Sequence, residues 1–189
     1  AGDALFGTLL LATSIGLIAA MWGAPLIDKW LGPNSLRVAA LAFALLFVLP
    51  SLAHSPPTFA LALVLLGLTS GSLDVVMNAR VSDLEALHRK SLMNANHGMF
   101  SVGYTFSALV TGFARQGGID LIYVFGGFAA LVFILTFFMH VTTSTQQGEE
   151  GQTRAALFWP VLICGAIVLV AFMTEATVEA WSALHIERT

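Results

Sequence analysis

Long apolar stretches alternate with short polar connections along the whole 189-residue chain. A membrane-spanning helix needs about 20 mostly apolar residues, and stretches near that length cover residues 4–27, 36–53, 57–81, 92–113, 121–141 and 155–173. The connections between them carry turn-forming residues, as in HSPP and RQGG. The alternating ten-residue segments of a membrane barrel are absent from the sequence. The pattern therefore predicts an all-α membrane protein, a polytopic bundle of about six transmembrane helices.

The composition supports a bilayer environment and excludes several classes of function. Only 10% of residues are charged, against about 25% in soluble domains, and 57% are hydrophobic. The net charge of −3 comes without a basic cluster, which argues against a nucleic-acid partner. A single cysteine, Cys164, permits no internal disulfide and no cysteine-based zinc site. No catalytic, phosphate-binding or metal-binding motif is present, so we expect neither enzymatic activity nor a cofactor.

The cationic residues of the connections predict how the helices are oriented. Cytoplasmic loops of membrane proteins carry an excess of lysine and arginine. If connection 28–35 is cytoplasmic, segments 84–91 and 142–155 are cytoplasmic as well. That side then holds Lys29, Arg37, Arg80, Arg89, Lys90 and Arg154, and the other side holds Arg115 and Arg188. The excess of cationic residues on the first side favours the orientation in which connection 28–35 is cytoplasmic.

The third apolar stretch contains a carboxylate that needs an explanation. A charged side chain at the bilayer centre costs about 2.5–3.5 kcal/mol on insertion scales, so such residues face a partner or a cavity. At 100° per residue, Asp74, Asn78 and Glu85 share one helix face. Asp74 could be a buried structural carboxylate that bridges helices, or it could line a polar pathway.

Further polar residues lie in the fourth and sixth stretches. Asn94, His97 and Ser101 form one stripe at spacings of three and four. A histidine can carry a proton near neutral pH, but it can equally serve as a hydrogen-bonded packing residue. Glu175 and Glu179 are four residues apart near the end of the sixth stretch, where either could lie in the membrane interface.

Together these segments resemble a known family. GSLDVVMNARVSDLE followed by LMNANHGMFSVGYTFSALVTG resembles helices 4 and 5 of the major facilitator superfamily, in the bacterial branch of fucose and other sugar permeases. EATVEAWSAL resembles the end of helix 7, and GAPLIDKWLGPNSLR resembles the signature loop between helices 2 and 3. In that loop the two glycines each stand one residue further from Asp28 than in the common pattern. The matching positions in helices 4 and 5 are Gly71, Asp74, Asn78, Glu85, Met93, His97, Gly98, Ser101 and Gly103.

The resemblance implies a partial major facilitator fold in a bacterial inner membrane. Residues 1–141 would form helices 2 to 6 of the N-terminal half, 142–155 the cytoplasmic linker between halves, and 156–189 the first helix of the C-terminal half. Helix 1 and helices 8 to 12 would then be missing from this chain. Because transporters of this family bind substrate between two halves that rock against each other, we expect the fragment to be inactive by itself.

The resemblance also implies a function and roles for particular residues. We expect a secondary active transporter of a small polar solute, for example a sugar, that is coupled to protons. The expected substrate and proton pathway comprises Asp74, Asn78, Asn94, His97, Ser101 and Glu175. The expected gating residues are Asp28 with Arg37, and Glu85 with Arg89 or Lys29.

Two other functions are open at this point. A non-transporting membrane scaffold or sensor could use the same fold, because fold does not determine function. An intramembrane enzyme with Asp74 and His97 as acid and base is disfavoured, because neither a nucleophile nor a metal-ligand spacing accompanies them.

Overall fold

A computed structural model describes residues 3–139 and 170, and in these residues it contains α-helices, short 3-10 helices and no strand. The α-helices are α1 (Asp3–Leu31), α2 (Ser35–Leu46), α3 (Pro56–His88), α4 (Met93–Gln116) and α5 (Leu121–Thr136). The 3-10 helices are Gly32–Asn34 and Leu49–Leu52. The prediction of an all-α helical bundle is confirmed. The sixth apolar stretch, 155–173, and the predicted linker at 142–155 lie outside the continuous described range.

The chain also divides into two compact units, Ala1–Thr145 and Gln146–Thr189. All described residues except Val170 belong to the first unit. The contacts among residues 3–139 therefore lie within that unit.

Local sequence signals explain where the helices begin and end. At the start of α3, the Ser55 hydroxyl accepts a hydrogen bond from the Thr58 amide, and the Ser55 amide donates to the Thr58 hydroxyl. This reciprocal capping stabilises the first turn of α3. Pro56 occupies the first position of that turn, where proline fits well because an amide there would have no partner within the helix. α3 ends at His88, and the φ of 51° places Arg89, the next residue, in the left-handed conformation common after a helix. α3 therefore extends seven residues beyond the apolar stretch that predicted it.

Within the described residues, two segments are long and apolar enough to cross a membrane, Gly7–Leu52 and Pro56–His88, and Leu121–Thr136 is a shorter apolar helix. The first segment combines α1 and α2, which are joined through Gly32 and Pro33. α3 has 33 residues, so at 1.5 Å per residue it is about 50 Å long. It exceeds the roughly 30 Å hydrocarbon core, and its polar last turns can therefore lie outside that core.

The core of the bundle is the crossing of α1 and α3, which is lined by small residues. α1 presents Ala12, Gly16, Ala20 and Ala24 at every fourth position, and all four are buried. On α3, Gly67 lies against Gly16, and Gly71 lies against Ala20. A Cβ atom on Gly16 would overlap the Val64 carbonyl oxygen and lie 2.6 Å from the Leu68 amide nitrogen. Such close backbone approach generates the dispersion contacts that hold helices together in lipid.

The remaining helices, α2, α4 and α5, differ in how closely they pack. α2 packs on α3 and α5 packs on α2, whereas α4 makes few contacts with α3 and α5. The Phe47 ring after α2 lies 5.0 Å from the Phe125 ring of α5, and this pair joins the two helices at the predicted outer end of the bundle. Most of α4 is exposed, including Phe100 and Phe113. Only lipid or further protein can cover such an apolar surface.

Candidate functional site

A polar network of Asp28, Ser35 and Arg80, called here the inner network, joins α1, α2 and α3 at the predicted cytoplasmic end of the bundle. Arg80 Nη2 lies 2.5 Å from Asp28 Oδ1 and donates to the Gly32 carbonyl oxygen at 3.2 Å and to the Ser35 hydroxyl at 3.1 Å. The fully buried Ser35 hydroxyl also hydrogen-bonds to Asp28 Oδ1 and to the Gly32 carbonyl oxygen at 2.8 Å. The network closes the turn between α1 and α2 onto α3, and it pairs the charge of Asp28 with that of Arg80.

The structure corrects the expected pairing of Asp28 with Arg37. The Asp28 carboxylate contacts Arg80, whereas Arg37 donates from Nε at 2.9 Å and from Nη2 to the carbonyl oxygen of Met139, just after α5. Both arginines lie near Asp28 in the predicted topology, but only α3 crosses α1 closely enough to bring its arginine to Asp28. Arg37 instead satisfies a carbonyl at the end of α5, a site that favours a cation.

We predict that Arg80→Gln lowers the free energy of unfolding by about 2 kcal/mol, the scale of a hydrogen bond to a charged group that is withdrawn from water. The Arg80 side chain is 13% exposed and that of Asp28 is 26% exposed, so the substitution leaves a half-buried carboxylate without its cation. Denaturant unfolding of the purified protein in detergent measures the change.

Asp83→Asn is the matched control for Arg80→Gln. Asp83 Oδ2 is 3.7 Å from Arg80 Nη1, three residues along the same helix. Such a distant pair contributes less than about 1 kcal/mol. Equal losses from the two substitutions would contradict the assignment of Asp28 as the main partner of Arg80.

Glu85 also differs from its expected partnership with Arg89 or Lys29. Glu85 Oε1 accepts hydrogen bonds from the amides of Leu92 at 2.5 Å and Met93 at 2.7 Å. It therefore caps the start of α4, where free amides and the helix dipole favour an anion. Arg89 is exposed at the turn between α3 and α4. The carboxylate thus couples the end of α3 to the beginning of α4.

Asp74 and Asn78 lie on a different face of α3 from Arg80. Asn78 Nδ2 donates to Asp74 Oδ1 at 3.1 Å, as their four-residue spacing allows. Between Ala62 and Asn78 on this described helix, Asp74 is the only residue in the exposed class. Asn78 Oδ1 is buried and has no hydrogen-bond partner among the described residues. Arg80 is six residues past Asp74, about 120° away round the helix, so the carboxylate and the inner network are separate.

The predicted stripe on α4 is present but stands apart from Asp74. Asn94, His97 and Ser101 are all exposed, and the Ser101 hydroxyl donates to the His97 carbonyl oxygen at 3.2 Å. Among the described residues, no hydrogen bond joins this stripe to Asp74 or Asn78. Glu175 lies outside the described residues. Within the described part of the chain, no cluster of three or more possible ligands could hold a metal ion.

Sequence reasoning counted Arg80 only as a loop charge and did not select Ser35. A signal for Arg80 was available, since the residue lies inside the apolar stretch 57–81, where any ionisable side chain requires a partner. Ser35 offered no comparable signal, because serines are frequent in turns for local reasons. Its importance depends on the approach of α3.

Comparison with known proteins identifies the family to which the chain is similar. The sequence profile of the Major Facilitator Superfamily matches residues 2–188. An uncharacterized MFS-type transporter of Yersinia pestis is 28% identical over 97% of this chain and 49% of its own length. An uncharacterized transporter of Sinorhizobium fredii is 28% identical over 97% of this chain and 50% of its own length. The chain thus spans about half the length of these relatives. No solved structure matches it significantly.

Proposed function

This chain belongs to the major facilitator superfamily, whose members are membrane transporters and not enzymes, and we propose that it carries a small polar solute together with protons. The solute class we propose is a polyhydroxylated molecule such as a sugar, and the membrane is a bacterial inner membrane. The observation that supports this most is the pair formed by Asp74 and Asn78.

The surroundings of Asp74 favour a pathway role over a structural one. A carboxylate that bridged helices would be covered by them and bonded to them, but the described helices leave Asp74 exposed. Among the described residues, its hydrogen bond is to Asn78, on its own helix. An ionisable side chain inside a membrane-spanning stretch is typical of a substrate or proton pathway, and we assign proton coupling to Asp74.

Asn78 has the hydrogen-bonding capacity that solute recognition requires. Its amide nitrogen is engaged with Asp74, while Oδ1 is buried and lacks a partner in the described chain. A buried acceptor without a donor costs about 1–3 kcal/mol, and a hydroxyl group of the solute or a water molecule can relieve that cost. We assign Asn78 and Asn94 to solute hydroxyls, and His97, Ser101 and Glu175 to the walls of the same pathway.

Alternating access requires a cavity that two halves enclose in turn. The exposed apolar face of α4 provides a surface against which further helices can pack. We propose that the segments corresponding to the rest of the relatives' length, helix 1 and helices 8 to 12, complete the cavity. Residues 1–141 would then be the N-terminal half without its first helix, 142–155 the linker, and 156–189 the first helix of the other half.

The inner network acts in this proposal as a gate element. Asp28 and Arg80 hold the turn between α1 and α2 against α3 at the end where segments 28–35 and 84–91 would face the cytoplasm. A change in the separation of α1 and α3 must break or strain these bonds. Arg37 and Glu85 bind the end of α5 and the start of α4, so helix movements at this end are coupled.

Uptake by the complete transporter in proteoliposomes tests the proposal. Labelled sugars and other small polar solutes are offered with and without an inward proton gradient. We expect at least one solute to accumulate only when the gradient is present. Gradient-independent equilibration would reject proton coupling, and a folded protein that moves no solute would favour the scaffold or sensor alternative.

A further inference from the structure

A small cleft opens between α2 and α5 near the predicted cytoplasmic end. Its volume is about 220 Å³, and it is lined by Arg37, Leu41, Phe133, Thr136 and Phe137. Small-molecule sites typically measure about 300–1,000 Å³, so this cleft is undersized for a transported solute. A cation at one end and an apolar wall along the rest match the two chemical parts of a phospholipid.

The apolar wall is open to the surroundings of the described helices. Phe133 is 51% exposed and Phe137 is 68% exposed, and their rings meet edge to face at 5.3 Å. Leu41, on the opposite side, is 36% exposed. Thr136 is buried at the base, and its hydroxyl donates to the Phe133 carbonyl oxygen, so it presents little polarity to the cleft. These surfaces suit an acyl chain.

Arg37 supplies the positive charge at one end of the cleft. Its guanidinium has five N–H donors, of which one on Nε and one on Nη2 are directed to the Met139 carbonyl oxygen. That interaction fixes the side chain at the rim of the cleft and leaves donors for another acceptor. Among the described residues no carboxylate forms an ion pair with Arg37. Arginine binds phosphate groups well because its planar fork matches their geometry.

From this arrangement we propose that the cleft binds an anionic phospholipid, with the phosphate on Arg37 and an acyl chain between Leu41 and the two phenylalanines. Arg37 lies in the first turn of α2, at the level where headgroups would meet a helix that begins at the membrane surface. Basic pockets between transmembrane helices at the cytoplasmic side are suited to such headgroups. The inference is independent of which solute, if any, is transported.

Native mass spectrometry of the detergent-solubilised protein tests the site. The probes are phosphatidylglycerol and phosphatidylcholine with identical acyl chains. We expect tighter binding of phosphatidylglycerol, and a loss of about fivefold in Arg37→Gln, the effect of one cationic side chain at an anionic surface. Arg37→Lys should retain part of the preference. Lys90→Gln, which removes an exposed cation after α3 at the same predicted cytoplasmic end, is the matched control and should change nothing.

A second variant separates the lipid site from any effect of Arg37 on folding. Leu41→Trp fills the cleft but keeps the cation, and we expect it to lower phosphatidylglycerol binding as well. Unchanged binding in Leu41→Trp would overturn the proposal, and so would an equal affinity of the wild-type protein for the two lipids. Displacement of phosphatidylglycerol by inorganic phosphate would show a site for free anions instead. If another segment of the protein covers the cleft, no preference for either lipid will be seen.

Discussion

Asp74→Asn should reduce gradient-driven accumulation of the solute to the level measured without a proton gradient. The amide of asparagine cannot take up and release the proton. It is nearly isosteric with the carboxylate, so the shape of the side chain is retained. Its oxygen can still accept the hydrogen bond that Asn78 donates to Asp74, so the helix should fold unchanged. Exchange of labelled for unlabelled solute across the proteoliposome membrane should persist, because it does not require net proton movement.

Two variants make the Asp74→Asn result interpretable. Asp74→Glu retains a titratable group and should keep a measurable part of the accumulation. Asp83→Asn removes a carboxylate from the same helix at the inner network, and it should leave coupling intact. If Asp74→Asn accumulates solute as the wild type does, Asp74 is a structural carboxylate and Glu175 becomes the candidate for the coupling group.

Gly16→Ala and Gly67→Ala should each lower the free energy of unfolding by about 3 kcal/mol, the upper part of the range for overpacked cores. The new Cβ on Gly16 would overlap the Val64 carbonyl oxygen, and that on Gly67 would overlap the Thr13 carbonyl oxygen. Both obstacles are helix backbone, so α1 and α3 must move apart to relieve them. Denaturant unfolding in detergent measures the loss.

Gly23→Ala on α1 is the control, and we expect it to raise the free energy of unfolding. A Cβ there meets nothing within 4 Å, so the substitution gains the roughly 1 kcal/mol by which alanine exceeds glycine in helix propensity. Gly71→Ala should fall between these cases, because its closest obstacle is the Ala20 side chain at 2.8 Å. Stabilisation by Gly16→Ala would show that the two helices do not cross at these glycines.

The polar face of α3 that carries Asp74 and Asn78 was predictable from sequence because it depends only on helical periodicity. Asp74 and Asn78 are four residues apart, and this spacing alone brings their side chains together. The stripe of Asn94, His97 and Ser101 follows from the same rule. Whether the two stripes face one cavity depends on how α3 and α4 are placed, and periodicity within each helix carries no information about that.

The partners of the charged residues at the expected cytoplasmic end were predicted wrongly from the sequence. Asp28 and Arg37 are nine residues apart and looked like partners, but the partner of Asp28 is Arg80, 52 residues away. Glu85 likewise binds the amides at the start of α4 and not a nearby cation. In each case several oppositely charged or donor groups were available, and the packing of α1 on α3 and the turn into α4 selected among them.

Apolar stretches of the right length establish the helical, membrane-embedded class of this protein before any contact is known, because a backbone in lipid must satisfy its own hydrogen bonds within each segment. The family follows from local motifs in the same way. The partners of Asp28, Arg37 and Glu85 are settled only by the tertiary structure. The reason is physical: a helix orders its own side chains at a range of one or two turns, while ion pairs and clefts between helices depend on how closely two backbones approach. Here that approach is set by Gly16 and Gly67, where α1 and α3 meet.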